Sequence, residues 1–151
     1  MVWTTITFGK HKGKTLPQVI FDDADWFFYA YEQGYFKNGL AQEAREVYRR
    51  ARSIRIPEQD GQKMLVEYVI HKPNGKFGTM GLIPVGFQPG HYNVSSVIDF
   101  YKPRSLVPYD KTGYKHFVLA LKAIMFGNHS HRLSKQDRED FFSDDANFVL
   151  N

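Results

Sequence analysis

The chain contains no cysteine, which excludes disulfides, Cys-ligated zinc, iron–sulfur clusters and a thiol nucleophile. No apolar run approaches the roughly 18 residues that a membrane-crossing helix needs, so no membrane partner is expected. The opening Met1-Val2-Trp3-Thr4-Thr5 has no basic stretch leading into an apolar one. A secretion signal is therefore not expected, and a cytoplasmic location is. Internal repeats and low-complexity tracts are also missing. What is abundant is aromatic: 13 Phe and 9 Tyr in 151 residues, enough to build a core and too many for a disordered chain. At this length folding buries roughly 70% of the surface that the unfolded chain exposes. A single domain over 1–151 is expected, with a basic loop and helical part at 1–55 and a hairpin, loop-rich and helical part at 63–151.

Recognisable catalytic patterns are absent as well. There is no Gly-x-Ser-x-Gly elbow and no His-Glu-x-x-His zinc helix. Gly9-x-x-x-Gly13-Lys14-Thr15 places three residues between its glycines where a nucleotide-binding P-loop has four, and no alternating strand–helix series surrounds it. His129 and His131, with Asp137 and Asp140 beyond them, invite a metal site. An i, i+2 pair in a loop does not converge, however, and zinc needs three or four ligands. Asp99, Lys102 and Glu67 lack the Glu-x-Lys element of a restriction-type nuclease. Asp22-Asp23 and Asp144-Asp145 read as helix caps and an acidic tail. The expectation is a non-enzymatic protein without cofactor or metal, with a metal-dependent nuclease as an alternative.

Charge is segregated behind a modest net +4. Lys10, Lys12 and Lys14 stand in the first twenty residues without an acid. Asp22, Asp23, Asp25 and Glu32 follow without a base. Lys37, Arg45, Arg49, Arg50, Arg52 and Arg55 then outnumber Glu43 and Glu46, and the last thirty residues turn acidic again. Two early basic blocks of this kind point to a polyanionic partner.

The pattern of residues gives an α+β fold, a small antiparallel sheet with flanking helices and an N-terminal strand–basic loop–helix module. Val2 to Phe8 reads as a strand. Thr15 and Pro17 open a short helix, and Asp22 or Asp23 caps an aromatic one from Ala24 to Gln33 that Gly34 stops. Leu40, Ala44, Val47, Tyr48, Ala51 and Ile54 mark one face of a helix from 40 to 54, with Arg45, Arg49 and Arg52 on another. Met64–Ile70 and Phe77–Ile83 form a hairpin about Pro73-Asn74-Gly75. Pro84 to Pro108 is loop-rich with a short strand near Val94 to Tyr101. Thr112 to Phe126 is a helix whose period comes from His116, Leu119, Ala120, Ala123, Ile124 and Phe126. Ser134 caps a last helix to Phe142.

Phe8-Gly9-Lys10-His11-Lys12-Gly13-Lys14-Thr15-Leu16, followed by Asp22-Asp23-Ala24-Asp25-Trp26, resembles the short C-terminal module of exodeoxyribonuclease X-like proteins and of small phage and bacterial proteins. The resemblance covers about residues 5–36. The basic loop follows the family pattern closely, whereas Asp25-Trp26-Phe27-Phe28-Tyr29 departs from the usual Tyr-Leu-x-Trp-Leu helix. It implies an accessory role beside DNA-processing enzymes and imports no exonuclease activity.

Read from its residues, the loop suits an anion. Glycine-bounded backbone N–H groups and a helix start converge there, and three lysines add counterion-releasing charge. Lys10, His11, Lys12, Lys14, Arg45, Arg49 and Arg52 are the expected contacts, on one joint surface. The partner is nucleic acid, DNA ahead of RNA, or an acidic protein. Trp26, Phe27 and Tyr31 are candidates for stacking on bases, although aromatics at helical spacing usually serve the core. The second alternative is a protein-interaction factor, such as a phage-type modulator of a host protein.

Overall fold

A proline in a first helical turn costs little, because its missing N–H has no partner within the helix at that position. Thr15 and Pro17 thereby open α1 (Leu16–Asp22) in the computed structural model, which describes residues 2–86 and 93–150. The Gln18 carboxamide accepts the Thr15 N–H at 3.0 Å. Asp23 ends α1 and begins α2 (Ala24–Glu32): its N–H donates to the Val19 carbonyl at 2.7 Å, and its carboxylate accepts the Trp26 N–H at 3.3 Å. Gly34 leaves α2 at a φ of 72°, a left-handed value that glycine adopts without a Cβ clash.

α3 (Gly39–Ala51) buries Ala44, Val47 and Ala51, with Leu40 and Tyr48 packed partly against the core. It stops short of Ile54, which sits in the strand β1 (Ile54–Arg55) instead. The Arg52 and Ser53 N–H groups close the helix on the Tyr48 and Arg50 carbonyls. Ile54, β-branched and suited to extended backbone, then pairs with Ile98.

The hairpin is as expected in its strands, β2 (Met64–His71) and β3 (Lys76–Pro84), antiparallel and registered Val66 to Leu82 and Tyr68 to Met80. The register shifts by a bulge at Val69/Ile70. Gly75 turns at a φ of 71° and returns its N–H to the His71 carbonyl. β4 (Val94–Ser95) adds to the far side of β2, giving the order β3-β2-β4. β5 (Val97–Ile98) belongs to a separate two-stranded sheet with β1. The strand expected across Val94 to Tyr101 is thus divided between two sheets. The rest of the loop-rich stretch at 87–92, with Pro89 and Gly90, lies outside the described residues.

α4 (Lys102–Leu106), α5 (Lys111–Met125), α6 (Lys135–Ser143) and a 3₁₀ turn at Asp145–Asn147 complete the chain. The buried stripe of α5 is Gly113, Tyr114, Phe117 and Leu121, offset from the expected one; His116, Leu119 and Ala123 face outward. The larger aromatic rings take the inward positions because they bury the most apolar area. Val2 to Phe8 also differs from expectation. It is extended but makes a single bridge, Thr5 to Thr15, because its partner is the end of its own loop and offers no further ladder.

The result is an α+β fold whose hydrophobic cluster draws on both halves of the chain, from Leu16, Ile20 and Phe28 to Val66, Phe117, Phe142 and Phe148. Phe117 joins them, with its ring 4.7 Å from Phe100 and 5.6 Å from Phe77. Arg50 fastens α3 to the C-terminus, donating to Glu46 at 2.7 Å, the Phe142 carbonyl at 3.2 Å and Asp145 at 2.6 Å. Phe117→Ala is expected to lower unfolding free energy by about 3–5 kcal/mol in a denaturant melt, the range for emptying a buried aromatic site. A loss under about 1 kcal/mol would mean that α5 does not pack on the hairpin.

Candidate functional site

The basic loop closes on itself before it can bind anything. The Ile6 N–H donates to the Lys14 carbonyl and the Gly13 N–H to the Ile6 carbonyl, each at 2.8 Å. The Lys12 and Lys14 N–H groups donate to the Gly9 and His11 carbonyls. Gly9 and Gly13, at φ of 73° and 91°, make these reversals possible. The N–H groups of residues 12 to 14 are consequently spent inside the loop, and that of Thr15 goes to Gln18. The expected convergence of backbone N–H groups on an anion is not formed there; what the loop offers outward is side chains.

His11 faces inward. Its Nε2 lies 3.0 Å from an Asp23 carboxylate oxygen and its ring meets Trp26 edge-on at 4.9 Å. Lys10 reaches the same carboxylate at 3.0 Å, and Lys14 reaches Asp22 at 3.4 Å. Burial opposes ionisation of Asp23, but the hydrogen bonds from Lys10 and His11 outweigh it and hold the carboxyl below its ordinary range. Thr15 donates its hydroxyl to Glu139 of α6 at 2.8 Å, so the loop is fixed on both flanks. Lys12 is exposed and makes no ion pair among the described residues.

Beside the loop lies a cleft of about 660 Å³ between α1–α2 and α5. Lys14, Lys111 and Lys115 stand around it, with Tyr114 and Val118 forming apolar wall and Asp25 within. Lys111, Lys115 and Val118 share one flank of α5 by their spacing of four and three. A smaller adjoining cleft of about 320 Å³ brings Lys10 and Lys111 together with Trp26, Tyr29 and Tyr109. Lys111 and Lys115 were not among the expected site residues; their signal was the i, i+4 spacing just after the Asp110 cap.

The arginines of α3 are largely occupied. Arg49 pairs with Glu46 at 2.7 Å. Arg52 binds Asp99 at 3.2 Å and lies over the Tyr101 ring at 4.6 Å. Arg45 is exposed and donates to Gln42. None of the three lines either cleft. The clefts thus gather the lysine loop with α5 and include none of these arginines. Of the aromatics considered for stacking, Phe27 is fully buried and Tyr31 lies stacked on Tyr48 at 4.2 Å, while Trp26 keeps an edge in the smaller cleft.

Among the described residues no three His, Asp or Glu side chains converge to hold a metal. His131 approaches Asp137 at 3.5 Å and stacks on Phe126, and His129 is exposed. No described helix is long and apolar enough to cross a membrane. Comparison of the chain with protein-family models, curated proteins and solved structures gave no match.

Asp25 lines both clefts. It is buried, and its Oδ1 stands 3.6 Å from Arg104 Nη1, too far for a hydrogen bond. Burial pushes its pKa above the ordinary 3.8, the neighbouring Asp23 and Asp110 add to this, and Arg104 opposes it. Between 3.8 and the raised value the folded chain keeps a proton that the unfolded chain has lost, so stability falls as pH rises through that window. Asp25→Asn should therefore raise the melting temperature at neutral pH, and the gap from wild type should close as pH drops below 3.8. A lower melting temperature at neutral pH would show that the charged form is favoured in the fold.

Proposed function

We propose that this chain is a non-enzymatic nucleic-acid-binding protein, DNA ahead of RNA, of the accessory kind that serves DNA metabolism. The observation that carries the reading is the gathering of Lys10 and Lys14 with Lys111 and Lys115 around two connected clefts, with Lys12 exposed in the same loop. Lysines from two separate elements brought to one rim follow a phosphate backbone better than a single cluster does. Asp22 and Asp23 oppose this charge but also preorganise it: Lys10 and Lys14 are held over the rim, half exposed, instead of swinging freely. A phosphate then competes for donors whose conformational entropy has already been lost.

The loop that resembles the exodeoxyribonuclease X-like module supports the same reading. Its histidine and glycines serve geometry, and its lysines are the residues directed outward. The arginine face of α3 is a secondary contact at most, because Arg49 and Arg52 already have carboxylate partners.

Heparin retention and a salt titration with labelled DNA test the proposal. Affinity should fall linearly in log salt. Lys10→Ala/Lys12→Ala/Lys14→Ala should bind more weakly, with a slope shallower by about 0.7–0.9 for each phosphate that it no longer neutralises. Lys12→Ala alone should melt close to wild type, since exposed substitutions change stability by about 0.5 kcal/mol or less, whereas the triple variant also takes the Lys10 partner from Asp23 and should melt lower. Lys111→Ala/Lys115→Ala should act in the same direction, and Arg45→Ala/Arg49→Ala should change binding least. Absence of binding even at low salt would defeat the reading and favour an acidic protein partner.

A further inference from the structure

We propose that the smaller cleft is a stacking seat for an unpaired base, so that the chain selects single-stranded over double-stranded nucleic acid. The inference rests on the nucleic-acid reading above and names the ligand class within it.

The cleft of about 320 Å³ is lined by the rings of Trp26, Tyr29 and Tyr109, by Lys10 and Lys111, and by the carboxylates of Asp23 and Asp25. Its volume is in the range of small-ligand sites. Aromatic surface interleaved with phosphate-binding cations is what a single strand needs: bases stack while the backbone is neutralised. A duplex cannot use the aromatic part, because its bases are already stacked on one another.

Tyr109 is the key residue. It is 61% exposed, the second most exposed of the large hydrophobic side chains among the described residues. Its φ is 59°, in the left-handed region. The other non-glycine residues with this sign are Asn38 and Asp60, types that tolerate it through short polar side chains. A tyrosine gains nothing of that kind. The fold thus holds a largely exposed aromatic ring against Arg104 at a conformational cost, the situation in which strain points to a function.

The ring is also aimed. Arg104 lies over it at 4.8 Å and is itself fixed by Glu32 at 2.7 Å. Tyr29 stands 5.9 Å away at an interplanar angle of 57°, so the two rings do not cover each other. Tyr35, 43% exposed, continues the aromatic run from Tyr29 at 5.8 Å.

The test compares a labelled mixed-sequence single strand with its duplex at one fixed salt concentration, by fluorescence anisotropy. Wild type should favour the single strand by about tenfold or more. Tyr109→Asn, which suits the left-handed backbone, should weaken single-strand binding by roughly 5- to 100-fold and leave duplex binding within about twofold. Tyr109→Phe should retain wild-type affinity. Independently of any substitution, single strand should quench the intrinsic tyrosine and tryptophan emission and duplex should not. Equal affinity for the two forms, equal quenching by both, or no effect of Tyr109→Asn on the single strand would each overturn the stacking seat while leaving the phosphate reading intact. Binding of neither form would overturn both.

Discussion

Asp23 lies where α1, α2 and the basic loop meet, and each of the three depends on it. Its N–H ends α1 at Val19 and its carboxylate starts α2 at Trp26. The same carboxylate takes His11 and Lys10 from the loop. A single residue therefore joins the two helices and holds Lys10 over them. Trp26, one turn into α2, packs against His11 and completes the attachment. Hydrogen bonds to the charged form outweigh the cost of burying it, so this junction is held by an ionised carboxylate across the neutral range. Removing that charge would loosen the loop first and the α1–α2 corner with it.

The junction also changes what the charge map means. Counted along the chain, the basic and acidic blocks look like separate surfaces; in the fold each largely supplies partners for the other. Asp22 and Asp23 hold Lys14 and Lys10, Glu46 holds Arg49 and Arg50, and Asp99 holds Arg52. Exposed pairs such as Arg49 with Glu46 add little stability, and they also reduce the charge available to a ligand. The cations that stay available are set by packing: α5 lies against α2 and brings Lys111 and Lys115 to the loop. Tyr109 sits in the turn before α5, so the helix that delivers the cations also delivers the ring.

Much of the scaffold could be read from local sequence. The caps at Asp23 and Ser134, the Ala44–Val47–Ala51 stripe and the Asn74-Gly75 turn each follow from interactions within a few residues. Local reading failed where a distant partner decided the outcome. Val2 to Phe8 has strand-forming residues but meets only the end of its own loop. Val94 to Ile98 is shared by two sheets because β2 and β1 each claim two residues of it. The candidate site was half visible: Lys10, Lys12 and Lys14 are close in sequence, whereas Lys111 and Tyr109 lie about a hundred residues on. The inward turn of His11 was hidden for the same reason, since its partners Asp23 and Trp26 declare themselves only once α2 folds back.

We propose that the ligand surface is the loop with α5, not the arginine row of α3. Amide chemical-shift mapping during titration with a single-stranded oligonucleotide tests it most directly. The largest shifts are expected at Lys10 to Lys14, at Tyr109 and at Lys111 and Lys115, with Arg45 and Arg49 nearly unmoved. Shifts that follow α3 while the loop and the start of α5 stay silent would contradict it.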